Sequence, residues 1–354
     1  MKKTSILLLT AVLAFSATGC GQSSKEAETT AKNDAGELNI YTWQGYVPPD
    51  TVTRFQEETG ITINYSYFST NEEMLAKLEA TGGSDYDFII CSDYAIQLAA
   101  QDGLLQEIDS SRIENYKNIN PVYQSQYYDP DNKYSIPYWI TSKAILYNPA
   151  ETDLTFDNFS DLADPSLKGK VVVTNSERDV IGAALQQLGY DINDTDESHL
   201  LEAESFLKDM RSNIMAFDTD NPEGIVVNGD AIAAYCNAPQ AVYGWMQDNS
   251  LAISYPAAGA SSIGIDAIVV PKGAKNIDNL YTFLNFELDP DVVAQATEYT
   301  HYPNAVKGYE DYYPDDFDKR SVVLLPDSVM ENASLIENVG DAQEIYDRIW
   351  TELK

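Results

Sequence analysis

The chain runs to 354 residues and carries 56 Asp and Glu against 22 Lys and Arg, a formal net charge of −34. So acidic a surface repels nucleic acid and anionic lipid heads and favours cations, which excludes polynucleotide recognition, although acidity also serves plain solubility. The length exceeds what one hydrophobic core usually serves, so two lobes are expected.

At the start of the chain, Lys2 and Lys3 precede an apolar run over residues 6–15 that is too short to span a bilayer. Ala17-Thr18-Gly19-Cys20 follows, in the manner of the lipobox at which bacterial signal peptides are cut and the cysteine acylated. The expectation is a lipoprotein signal peptide over 1–19 and a palmitate-type anchor on Cys20. The mature protein would sit on the outer face of the cytoplasmic membrane. Residues 22–36 hold almost no large apolar side chain, so 20–36 reads as a flexible tether. No later stretch has the roughly 18 apolar residues that a second span needs. Cys91 and Cys236 each end an apolar run in a different region, and read as two small buried hydrophobes.

From Glu37 onward short apolar runs alternate with amphipathic stretches. Residues 38–41 read as a strand, and 50–59 as a helix with Pro49 near its start and Gly60 closing it. Residues 61–68 alternate as a second strand, and Ser69 and Thr70 cap a helix spaced by Met74, Leu75 and Leu78. The continuous run 87–91 is typical of a central strand covered on both faces, with Ser92 and Asp93 opening the helix 94–100. A second series holds strands at 144–147, 171–173, 232–235 and 265–270, with helices at 180–188, 200–210, 277–286 and 291–299. Ser176-Glu177-Arg178-Asp179 fits a capping box before the first of these helices. Such alternation implies βαβ units and an α/β fold of mostly parallel sheets, with ligand at the carboxyl ends of the strands.

Those strand ends are aromatic and acidic. The first runs into Trp43-Gln44-Gly45-Tyr46 and the third into Ser92-Asp93-Tyr94. Pro137-Tyr138-Trp139 precedes a lobe crossover, Tyr235 ends one strand, Asp266 opens another, and Tyr302 follows the last helix of the block. An alkylammonium ligand suits this mixture. Aromatic faces take its methylene chain and charge at about 0.5–2 kcal/mol per cation–π contact, and carboxylates hold each ammonium by about 1.5–3 kcal/mol. Two such ends and a few aromatic faces support micromolar affinity, about 8 kcal/mol after ordering costs.

Residues 86–109 (YDFIICSDYAIQLAAQDGLLQEID), Tyr134-Ser135-Ile136-Pro137-Tyr138, Phe217-Asp218-Thr219-Asp220-Asn221-Pro222 and Val270-Pro271-Lys272-Gly273 resemble the spermidine/putrescine-binding receptors of ABC importers, and the likeness covers 37–354 in order. That resemblance implies a two-lobe, periplasmic-binding-protein-like fold of type II that closes on ligand between its lobes. The implied first lobe is 37–141 plus 266–304, and the second 142–265 plus 305–354. It implies a monomeric, non-enzymatic receptor without cofactor or metal, delivering a polyamine to the transmembrane subunits of a permease. Carried over position by position, it places Trp43 and Tyr46 along the methylene chain and Ser92 and Tyr94 as third-strand contacts. Tyr235 keeps an aromatic face where a Trp is usual, Asp266 stands against an amine, Tyr302 forms a further wall, and Asp179 matches an acidic position.

The chain also departs from the pattern. Gly45, Ser176 and Gly264 stand where the resemblance would put a polar or acidic residue, an Asp and a Trp. The pocket is therefore expected to be roomier and less acidic, which favours a shorter diamine or a solute with fewer charges. Two other classes compete: a ferric-ion receptor using Tyr127-Tyr128 or Tyr312-Tyr313, and an exported hydrolase. The first would want more His or carboxylate ligands than His199 and His301 offer, and no nucleophile elbow or metal-spaced His cluster marks the second.

Overall fold

The computed structural model describes residues 35–258, 262–330 and 332–354. The expected signal peptide, Cys20 and most of the tether lie outside the described residues.

Eleven strands are described: β1 Glu37–Thr42, β2 Thr62–Tyr67, β3 Phe88–Ser92, β4 Ser135–Thr141, β5 Lys143–Tyr147, β6 Val171–Val173, β7 Ile214–Phe217, β8 Ala233–Asn237, β9 Ala252–Ser254, β10 Ser262–Val269 and β11 Ser334–Leu335. The helices are α1 Pro49–Thr59, α2 Asn71–Thr81, α3 Asp93–Gln101, α4 Glu177–Gln187, α5 Glu197–Met210, α6 Pro222–Val227, α7 Ala238–Gln247, α8 Ile277–Glu287, α9 Pro290–Thr300, α10 Asp327–Met330 and α11 Gln343–Leu353. Among the described residues no helix is long and apolar enough to cross a membrane.

The strands form two sheets. The first has the order β11-β10-β3-β1-β2, with β4 also paired to β10; the second has the order β7-β6-β8-β5-β9. In both, the strand that leads away from a crossover pairs antiparallel: β10 with β3 and β4, although it is parallel to β11, and β5 with β8 and β9. The sheets are thus mixed where the alternation of strands and helices predicts mostly parallel ones. The chain passes from sheet to sheet at β4–β5 and again between β9 and β10.

Period-2 alternation explains why both sheets are buried on both faces. Leu38, Ile40, Phe88, Ile90 and Ile268 point into one apolar cluster, while Tyr41, Ile89, Cys91, Ala267 and Val269 point into another on the opposite face. In the second sheet, Ile145, Val171, Val173 and Tyr235 alternate in the same way with Ala144, Leu146, Val172 and Cys236. Cys91 and Cys236 are free and buried, one in each sheet.

Local signals act where expected. Gly60 closes α1 at φ +76°, and the Thr70 hydroxyl accepts from the Glu73 N–H at the start of α2. One signal fails: Ser176 makes no capping bond to α4, so the expected capping box is absent. Beyond residue 304 the chain contributes to the apolar clusters of both sheets. Tyr309, Tyr313 and Val322 pack into the first lobe's cluster, whereas α11 buries Tyr346, Ile349 and Leu353 in the second. The physical reason is that residues 309–322 follow α9 directly and cover its apolar side before the chain crosses.

Candidate functional site

Three strand ends converge on one carboxylate. Asp266 lies in β10 opposite Ser92 of β3, and the β1–α1 loop carries Tyr46 over both. Tyr46 Oη donates to Asp266 Oδ2 at 2.6 Å and Ser92 Oγ donates to Oδ1 at 2.6 Å, so each oxygen keeps a further lone-pair direction. The residue is only 5% exposed. Burial raises the Asp266 carboxyl above its ordinary value, and the bonds from Ser92 and Tyr46 act against that rise. Burial and the nearby Asp266 charge push the Tyr46 phenol well above its ordinary value and the Tyr302 phenol up to about 12, so both remain neutral donors at physiological pH.

Aromatic rings cluster about Tyr46. Tyr302 lies 5.5 Å from the Tyr46 ring, and Trp139 lies 6.4 Å from each of them. Trp139 also donates from Nε1 to the Tyr46 carbonyl at 3.3 Å, which fixes the loop. Trp43 packs edge-on to Phe68 at 4.4 Å and lies 6.5 Å from Tyr46; its buried indole N–H has no hydrogen-bond partner. A buried carboxylate near aromatic faces has the chemistry to hold a small organic cation.

The structure brings Trp43, Tyr46, Ser92, Asp266 and Tyr302 together, and the other three candidates make contacts of their own. Tyr94, 42% exposed, donates to Glu72 Oε1 at 2.9 Å and accepts from Asn71 at 3.1 Å, which holds it on the rim. Tyr235 is fully buried, edge-on to Phe159 at 4.9 Å in the core of the second sheet. Asp179 is matched by Lys143 Nζ at 2.9 Å and approached by Ser262 Oγ at 3.4 Å. The strand alternation that buries Ile145 and Val173 takes Tyr235 with them, which is why a strand-end aromatic is here a core residue.

Two residues near the site are not among the candidates carried over from the resemblance. Asp93, behind Asp266 at the start of α3, accepts from the Tyr94 N–H at 2.7 Å and the Ile265 N–H at 3.4 Å. Burial, helped by the Asp266 charge, pushes its carboxyl up to about 7. Lys143 opens β5 and reads in sequence as a solvated lysine at a strand edge; the only signal is its place directly before the apolar run 144–147. Of the tyrosine pairs weighed for iron, Tyr312-Tyr313 does not converge: Tyr312 is exposed, and Tyr313 Oη lies 2.6 Å from Thr297 Oγ1. Among the described residues no group of three or more His, Cys, Asp or Glu is placed to hold a metal.

Two mixed sheets in two lobes, joined by crossing strands with a cation-receptive carboxylate beside the crossing, define a solute-binding protein of the periplasmic type. A family model of the bacterial extracellular solute-binding proteins matches residues 50–321, and the chain belongs to that family. It is 31% identical over 345 residues to the spermidine/putrescine-binding periplasmic protein of Escherichia coli (strain K12), covering 97% of each chain. It is 32% identical to the putrescine/cadaverine-binding protein of Pseudomonas aeruginosa, covering 93% of this chain and 95% of that one. The structure resembles the spermidine/putrescine ABC transporter substrate-binding protein of Streptococcus pneumoniae, crystallised with calcium and HEPES, with a TM-score of 0.82 and 30% identity over 90% of this chain and all of that one.

Proposed function

We propose that this protein is the receptor of an ABC importer and captures a small protonated amine of the polyamine class. The observation that carries this reading is Asp266, a buried carboxylate held by Tyr46 and Ser92, with the Tyr302 ring 5.5 Å from that of Tyr46. An ammonium replaces water at the remaining lone pairs of that carboxylate while the rings cover the methylene chain. The amine bridges the first-lobe cluster to the second lobe and stabilises the closed form; the permease then recognises the apposed lobe surfaces. The protein works as a monomer and catalyses no reaction.

The reading extends to the N-terminus. The signal 1–19 is removed, Cys20 is acylated, and 20–36 tethers the two lobes outside the membrane. Similarity to named polyamine-binding relatives along nearly the whole chain supports the solute class. Titration calorimetry with putrescine, cadaverine and spermidine tests it: at least one binds in the micromolar range or tighter, and no heat from any of them refutes the amine assignment. Cys20→Ala is expected to release the protein from membranes; a variant that stays bound refutes the anchor.

A further inference from the structure

We propose that Lys143 is a specificity-determining residue: its ammonium occupies the second-lobe carboxylate Asp179, so the cleft holds one solute ammonium at Asp266 and favours a hydrogen-bond acceptor at the solute's far end. The proposal rests on the amine reading above and departs from its polyamine class only at the solute's far end.

Strand β10 acts as a ruler across the site. Ser262, Gly264 and Asp266 point to the same face, and four residues of strand at about 3.3 Å each separate the two ends by about 13 Å. Asp266 meets Tyr46 and Ser92 at one end, and Ser262 Oγ lies 3.4 Å from Asp179 Oδ1 at the other. Between them Gly264 carries no side chain, and the Thr141 hydroxyl fills the space beside it, 2.5 Å from where a Cβ would stand. A solute with its ammonium on Asp266 and its chain over Gly264 therefore extends toward Asp179.

At that far end the anion is already matched. Lys143 Nζ lies 2.9 Å from Asp179 Oδ2 and donates to Asn237 Oδ1 at 2.7 Å, and the Lys143 and Asp179 side chains are only 10% and 11% exposed. A second solute ammonium would lie beside a like charge in a site that salt and water screen poorly. Two of the three Nζ protons are placed by Asp179 and Asn237, and the third is a donor for a hydroxyl or carboxylate. The favoured solute is thus a monoammonium compound with a terminal acceptor, and a diamine binds with its second end unheld.

Putrescine and 4-amino-1-butanol test this, because they share a four-carbon chain and differ only in whether the far end is an ammonium or a hydroxyl. In the full chain 4-amino-1-butanol is expected to bind at least as tightly as putrescine by calorimetry. Lys143→Met frees Asp179 and is expected to shift the ratio at least tenfold toward putrescine; an unchanged ratio overturns the role of Lys143 while leaving the amine reading intact. Asp179→Asn keeps the lysine charge and its bond to Asn237, so it guards against misfolding of the first variant. It is expected to weaken putrescine about tenfold more than 4-amino-1-butanol, and equal losses overturn the proposal. If neither amine binds the unmodified chain or the variants, the amine reading falls and this inference with it.

Discussion

Tyr46 donates its phenolic proton to Asp266 across 220 residues of sequence, at 2.6 Å. This bond holds the carboxyl against the upward push of burial, so Tyr46 serves the site through its hydroxyl as well as its ring. Tyr46→Phe keeps the ring and removes the donor. The Asp266 carboxyl then rises further, and the acid limb of amine binding moves to higher pH. Calorimetric titrations between pH 5 and 8 check this; an unmoved limb would show that the hydroxyl does not tune the carboxylate.

Removing the charge itself has a larger effect. Asp266→Asn loses charge-assisted bonding worth about 1.5–3 kcal/mol and is expected to weaken amine binding by about one to two orders of magnitude. Unchanged affinity by calorimetry removes Asp266 from the site.

Trp43 stands at the edge of the aromatic ring with an unpartnered indole N–H. Trp43→Ala is expected to weaken binding by about 0.5–2 kcal/mol, the range of one cation–π contact. A variant that binds normally but melts earlier assigns Trp43 to packing against Phe68.

Two buried carboxyls make the unliganded protein more stable in mild acid. Burial pushes both Asp93 and Glu287 up to about 7, the latter in spite of a hydrogen bond from Tyr138. Each folded-state value lies above the ordinary one, so the folded chain holds protons that the unfolded chain has released. Their contribution is full below the ordinary carboxyl range and is lost as pH rises through about 7. The Tm of the unliganded protein is expected to fall between pH 5 and 8, and Asp93→Asn and Glu287→Gln are each expected to flatten the slope. Carboxyls held low act elsewhere. Bonds from Arg348 and Lys208 bring Glu204 down to about 2, and its contribution is lost only below the ordinary carboxylate range. Parallel slopes in variants and parent refute the assignment.

Most strands were legible because their apolar runs are two-sided, as in Phe88–Ser92 and Val171–Val173. β4 was harder to read, since Pro137 lies inside it and lacks a ladder N–H; the register of β4 on β10 shifts at that proline. The first half of the site follows from the resemblance: Trp43, Tyr46 and Ser92 sit at strand ends or just beyond, Tyr302 just beyond a helix, and Asp266 within β10. The second half does not. Whether Tyr235 faces cleft or core depends on which face of β8 the second sheet buries, and whether Asp179 is available depends on a lysine from another strand. Ser176 and Asp179 have the right spacing for a cap, yet the nearby ammonium of Lys143 draws the carboxylate away.

The two body cysteines have a practical consequence. Each is fully enclosed, and burial pushes the Cys236 thiol up to about 12 and the Cys91 thiol well above its ordinary value, so neither offers thiolate to an alkylating dye. Reporter cysteines introduced on the two lobes are therefore expected to take up fluorophores selectively with Cys91 and Cys236 left in place, so that the proposed lobe closure can be tested by energy transfer in an otherwise unaltered body.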